Sequence, residues 1–296
     1  MFRVTKRLIM KSCVVKKAGN GRVFHNTIYW EHFPHDNFLN QCLDVPYVGY
    51  IQALEADFLV FEEINPTLLD NYDVVIYLSN DSNPLGYKPK GSLYVVPCEP
   101  VDTLAKADVD GYYVINNYHT ENLPSNHLSY PYTYDLDTFY KYRTKEKQNF
   151  VFKQRRSSVI DLPKGFEYQS EGGILPLHYS AWDTERVEYI KKLNSCKYAY
   201  STCLSFSPGQ VIAEASMLGV IIFSTPQKLI TKLLLPEFCL INTAEEVKTK
   251  IEMLEKDSIL YENILAEIDI NVKKYLSLSS FKQFIEQNES NSNNNN

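Results

Sequence analysis

The residues best placed to do chemistry lie between Lys197 and Pro226. Lys197–Thr202 is β-prone, Cys203–Gly209 is a loop, and Gln210–Leu218 has the spacing of a buried helix. Val211, Ile212, Ala215 and Leu218 form its broad apolar face. Gly219 suits the left-handed cap that ends such a helix, and Val220–Ser224 is then a β-branched strand. A unit of this kind aims the first helical N–H groups, near Gly209 and Gln210, at whatever sits above the strand ends. Those donors and the positive helix end suit a phosphate. Gln210 and Glu214 are four apart and share a helix face. A carboxylate there can accept hydrogen bonds from a ribose diol. The flanks of Glu214 are apolar, which predicts burial, and a buried acid needs either a ligand or a protein partner. Ser207, in the loop, is a further ligand candidate, with a turn or cap role as its structural alternative.

A second group of charges follows the predicted strand Asn149–Lys153. Lys153, Arg155 and Arg156 stand at its carboxyl end, where open α/β sheets bind ligands, and Lys164 comes a few residues later. Neighbouring strand residues face opposite ways, so only one of Arg155 and Arg156 can point into a cleft. In the first half, Asp81 follows the clearest strand and His119 follows another, and both are candidates for contact with an acceptor hydroxyl or for acid–base work. The run Glu31–Asp36 has histidines but no metal-ligand spacing, and Pro34 breaks any helix there. Asp135–Asp137 has the letters of a metal-binding DxD and reads better as a turn. Neither a Walker loop nor a GxGxxG fingerprint is present, and the lack of a GxSxG elbow or a Cys/His signature disfavours a hydrolase.

Strands alternating with helices must position these groups. Arg7–Val15, Asp57–Glu62, Asn71–Leu78, Ser92–Val96 and Gly111–Ile115 read as strands of the first half, with a partly helical segment over 38–54 interrupted at Pro46. The continuous apolar core of Asn71–Leu78 is typical of a parallel strand covered on both faces. In the second half, Glu188–Asn194 is helical, Leu229–Leu235 is helical or irregular, and Phe238–Ile241 is a short strand. Ala244–Glu255 has helical spacing, with Thr243 and Glu246 as a capping box, and Ile259–Leu276 continues as an amphipathic helix. The pattern predicts an α/β fold with two Rossmann-like domains facing a central cleft. Residues 1–140 form the first, the charged run 141–148 is the linker, 149–285 form the second, and the Asn-rich 286–296 are a disordered tail.

Composition bounds the function. A formal charge of −6 argues against broad nucleic-acid binding. No apolar run reaches the ~18 residues of a membrane span, and Lys11, Lys16 and Lys17 interrupt any signal-peptide core. Peripheral membrane contact stays open. The six cysteines have no paired spacing, so they read as reduced and buried, which suits a cytoplasmic protein without a structural zinc. Asn-, Lys- and Tyr-rich usage suits an AT-rich coding genome, such as that of a large DNA virus, a protist or an AT-rich bacterium.

Ser207, Gly209, Glu214, Ala215 and Gly219, on a loop and helix followed by an apolar strand, resemble the donor site of GT-B glycosyltransferases, particularly the retaining group related to family 4. Pro131, Asp135, Asp137 and Phe139 are similar to the turn that ends the family's first domain. The family's usual Glu, seven residues, Glu is incomplete: Glu214 is the second acid, and Phe206 stands where the first would be. The resemblance implies a metal-independent hexosyltransferase with no cofactor beyond a UDP- or GDP-linked sugar as co-substrate. Its acceptor would be a glycan, a protein or a small molecule. Lys153, Arg155, Arg156, Ser207, Gly209, Gln210 and Glu214 would bind the donor, and Asp81 and His119 would lie on the acceptor side. A non-catalytic scaffold on a decayed fold and a nucleotide-sugar epimerase are the alternatives.

Overall fold

The computed structural model describes residues 10–16, 46–78, 86–90, 92–98, 113–116, 127–128, 130, 133–154, 157–170, 188–202, 209–227 and 229–294. Two parallel sheets organise them. The first contains β1 (Ser12–Lys16), β2 (Asp57–Val60), β3 (Val74–Leu78), β4 (Leu93–Cys98), β5 (Tyr113–Asn116) and β6 (His127–Leu128), in the order β2-β1-β3-β4-β5-β6. The second contains β7 (Gln148–Lys153), β8 (Glu167–Ser170), β9 (Cys196–Ser201) and β10 (Ile221–Ser224), in the order β10-β9-β7-β8. Every pairing in both is parallel.

The strand sequences explain this. Cys13–Val15, Val74–Ile76 and Ile221–Phe223 are wholly buried runs, as parallel strands covered on both faces require. Side chains alternate between the faces of the first sheet. Val14, Val74, Ile76, Leu93 and Val95 pack with Tyr50, Ile51 and Leu54 of α1 (Pro46–Leu54). Cys13, Val15, Val75, Tyr77 and Tyr94 pack on the other side with Leu69 and Tyr72, from and beside the 3-10 turn Pro66–Asn71. Pro46, expected to interrupt a helix, begins one. At the first helical position its missing N–H has no partner to lose.

The chain passes between the halves twice, and the two passages are hydrogen-bonded to each other. Tyr134 N–H donates to the Leu276 carbonyl at 2.8 Å, and the Thr133 hydroxyl donates to the carbonyls of Leu276 and Ser277 at 3.0 and 3.1 Å. Gly49 of α1 lies so close to Thr133 that a Cβ would strike its carbonyl. After the first passage, Asp135 caps α2 (Leu136–Tyr140), accepting from Asp137 N–H and from the Thr138 hydroxyl. The Asp135–Asp137 pair is thus capping chemistry.

The linker expected over 141–148 is docked rather than loose. Arg143 makes a forked pair with Asp269 of α7 (Ser258–Leu276) at 2.6 and 3.0 Å. Lys147 Nζ donates to Asn194 O and Oδ1 and to Leu218 O at 2.7, 2.8 and 2.9 Å, so all three of its protons have oxygen acceptors. Nothing near the run in sequence announces this docking, because its partners lie ~50 to ~130 residues away.

The C-terminus departs most from expectation. Residues 286–294 lie in α8 (Leu278–Asn294), where composition predicted disorder. Phe281 packs at a tilt on Tyr50 and meets Tyr130 edge-on, Phe284 packs at a tilt on Tyr130, and Phe281 and Ile285 are fully buried. These anchored turns supply the nucleus that the polar end of the helix extends. α8 therefore packs on α1 of the first half, although 149–285 was expected to belong to the second.

Two predictions follow from this packing. Phe281→Ala should cost ~3–5 kcal/mol in a urea titration, the usual penalty for emptying a buried aromatic site. Burial, with repulsion from Arg143 second, pushes the Lys147 ammonium down to about 8. An unfolded lysine holds its proton to ~10.4, so between these values the unfolded chain binds more protons and this group's contribution to stability rises with pH. Lys147→Met should cost ~1–3 kcal/mol and abolish that rise, read as urea midpoints near pH ~7.5 and ~9.5.

Candidate functional site

Two glycines set the limits of α4 (Gln210–Met217). Gly209 is its N-cap, with φ +91°, and its carbonyl accepts from Ile212 N–H at 2.8 Å and Ala213 N–H at 3.1 Å. A side chain at 209 would meet both a forbidden backbone region and the Ile230 side chain of α5 (Leu229–Leu234). At the other end Gly219 has φ +69°. Its N–H reaches Ser216 O at 3.1 Å, and Val220 N–H reaches Ala215 O at 2.9 Å, the paired bonds of a Schellman stop.

Every residue of α4 after Gln210 is buried. Glu214 is the acidic one among them, at 1% exposure. Its Oε2 accepts a hydrogen bond from the Tyr189 hydroxyl at 2.7 Å. Tyr189 belongs to α3, whose described residues are 188–195, and its ring stands edge-on to Phe152 of β7 with centroids 5.7 Å apart. At 2.7 Å the bond has the usual length of a well-formed O–H···O hydrogen bond.

Because β9–α4–β10 is a parallel crossover, the amino end of α4 lies at the carboxyl edge of the second sheet. A polar network ties the strands together at this edge. The Ser201 hydroxyl donates to Gln154 Oε1, and the Ser224 hydroxyl donates to Ser201 O at 3.1 Å. Thr202 N–H donates to Ser157 Oγ at 2.9 Å, and Ser158 N–H donates to the Thr202 hydroxyl at 3.3 Å. Lys153, half-buried at the end of β7, donates to Ser157 O at 3.2 Å. Thr225, directly after β10, is 7% exposed, and its hydroxyl oxygen has no hydrogen-bond partner among the described residues. An orphaned hydroxyl at a strand end is a place where a ligand group would find a partner.

Of the predicted donor-binding residues, Lys153, Gly209, Gln210 and Glu214 thus share one edge of one sheet. Arg155, Arg156 and Ser207 lie outside the described residues, as do Phe206 and the acceptor-side candidates Asp81 and His119. Lys164 does not join the group. It stands three residues before β8, whose Glu167 pairs with Phe150, so it approaches the opposite, amino edge. Tyr189, Gln154 and Thr225 escaped the sequence reading. The burial of Glu214 signalled that a partner exists, but nothing local signalled a residue 25 positions earlier. No cluster of metal-binding side chains occurs among the described residues.

Neither a protein-family model nor a curated protein sequence matches the chain. Solved structures do. Alr3699/HepE of Anabaena in complex with UDP-glucose superposes with a TM-score of 0.60 at 12% identity, over 95% of this chain and all of that one. The same Anabaena protein with UDP and glucose gives 0.55 at 10% identity, over 95% and 100% of the two chains. AviGT4, a glycosyltransferase involved in avilamycin A biosynthesis, gives 0.50 at 13% identity, over 95% and 98%. At such identities the likeness is one of fold. The chain has the mixed α/β architecture with parallel sheets of these GT-B structures, as its sequence led us to expect.

Proposed function

We propose that the chain is a glycosyltransferase that takes a sugar from a nucleotide-sugar donor. The observation that carries this reading is the placement of Glu214. A carboxylate is held inside a buried helix whose amino end meets the carboxyl edge of a parallel sheet, within a fold shared with a UDP-glucose complex. In this reading the donor's diphosphate lies over Gly209 and Gln210, where the helix presents its first N–H groups. Glu214 accepts hydrogen bonds from the ribose or sugar hydroxyls. Lys153, with Arg155 or Arg156, meets the charge that develops on the departing diphosphate. The reaction is the metal-independent transfer of a hexose in the manner of the retaining family-4-like group, in the cytoplasm. Asp81 and His119 serve the acceptor, which is a glycan, a protein or a small molecule. Excluding water matters, because water competes as an acceptor.

A second reading is a binding protein without turnover. It is favoured by Phe206 in place of the first motif acid and by Tyr189 already bonded to the second.

A panel of UDP-, GDP- and dTDP-sugars tests the first reading by thermal shift. One donor at ~100 times its dissociation constant should add ~2.7 kcal/mol of stability. Glu214→Gln keeps the volume and a hydrogen-bonding group for Tyr189, so its unliganded melting point should stay close to wild type while the donor-induced shift disappears. A full shift in that variant, or no shift with any donor, rejects the assignment. Slow release of free sugar from the stabilising donor separates an enzyme from the binding protein, which should release none.

A further inference from the structure

We infer that Tyr189 is a positioning residue that orients the Glu214 carboxylate toward the ribose diol of the nucleotide. The inference rests on the nucleotide-sugar reading. Three elements converge at the pair. Glu214 comes from the second turn of α4, Tyr189 from α3, and Phe152 from the end of β7. Phe152 is fully buried, and its ring meets that of Tyr189 at 81°. The sheet therefore places the tyrosine ring independently of the acid, and the phenol in turn places one carboxylate oxygen. The tyrosine is part-exposed while the acid is not, so the tyrosine is the member of the pair nearer solvent. One phenol does not saturate a carboxylate, which can accept about four hydrogen bonds. The bond to Oε2 restrains rotation about the last side-chain bond, a torsion that is broad in itself. A diol needs two acceptor directions in a set orientation, so an acid free to rotate would grip it less well. A purely structural bond would stabilise the fold and leave diol recognition untouched, and this difference makes the inference testable.

The test compares full-length wild type with Tyr189→Phe, which removes the hydroxyl and keeps the ring. Binding of UDP, 2′-deoxy-UDP and 3′-deoxy-UDP is measured by calorimetry. Wild type should prefer UDP over at least one deoxy form, and Tyr189→Phe should weaken UDP binding by up to about tenfold, the worth of one hydrogen bond. The same substitution should leave binding of that deoxy form unchanged, so the ribose preference collapses. Tyr189→Phe in a Glu214→Gln background should cost nothing further. Equal weakening of all three ligands, or an unaltered preference, assigns Tyr189 to the fold alone and overturns the inference while the nucleotide reading stands. Failure of wild type to bind UDP overturns that reading and this inference together, and so the two failures are distinguishable.

Discussion

A carboxylate at 1% exposure is the constraint around which the second half of the molecule is arranged. A carboxyl group taken out of water is costly unless it gains hydrogen bonds. Glu214 has such a bond from Tyr189, and the bond demands that α3, α4 and β7 keep their relative places. The glycines at 209 and 219 serve the same end. They confine α4 to a short helix between two adjacent parallel strands and so fix which turn carries the acid. Side chains at either position would shift that turn, and the acid would lose its partner.

The seam between the two sheets obeys a different logic. Both passages of the chain run side by side, joined through Thr133, Tyr134 and the carbonyls at the end of α7. α8 then returns to lie on α1, where Phe281 and Phe284 enter a cluster of tyrosines. Lys147 and Arg143 fasten the residues after α2 to α3, α4 and α7. The charged linker thus belongs mechanically to the second half, and the C-terminal helix to the first. The first half is therefore completed by a segment from the far end of the sequence.

Much of this was legible where local chemistry decides the outcome. Strand β9, helix α4 and strand β10 fall within a residue or so of expectation, because a tyrosine-rich run, a β-branched run and two positive-φ glycines mark them. The capping box before α6 (Glu246–Lys256) is present in its acidic half, with Glu246 Oε1 accepting from Thr243 N–H at 3.0 Å. Reading failed where distant contacts decide. Phe238–Ile241 was expected to be a strand. It is instead a 3-10 turn over Glu237–Cys239 with a single bridge from Leu240 to Ser224, because Pro236 starts a turn rather than a ladder. Strand β8, with its polar sequence, lacks the apolar alternation that announces a strand, and pairing with β7 alone makes it one. The Asn-rich end of α8 is helical only because its first turns are pinned.

The same distinction separates the two parts of the candidate site. Its backbone part, a helix amino end over strand ends, follows from the parallel topology, and any sequence that folds this way acquires it. Its side-chain part does not follow from topology. Lys153 arrives at the edge through strand register and Gln210 through the helix start that Gly209 sets, whereas Glu214 arrives through burial and needs a partner from elsewhere in the chain. Had stability been the sole requirement, an apolar residue at 214 would have packed at lower cost beside Ile212, Ala213 and Ala215, since replacing buried ionic groups by apolar ones is often neutral or stabilising. Retaining an acid there, together with a tyrosine to hold it, makes sense if the carboxylate has a polar ligand to meet at that edge.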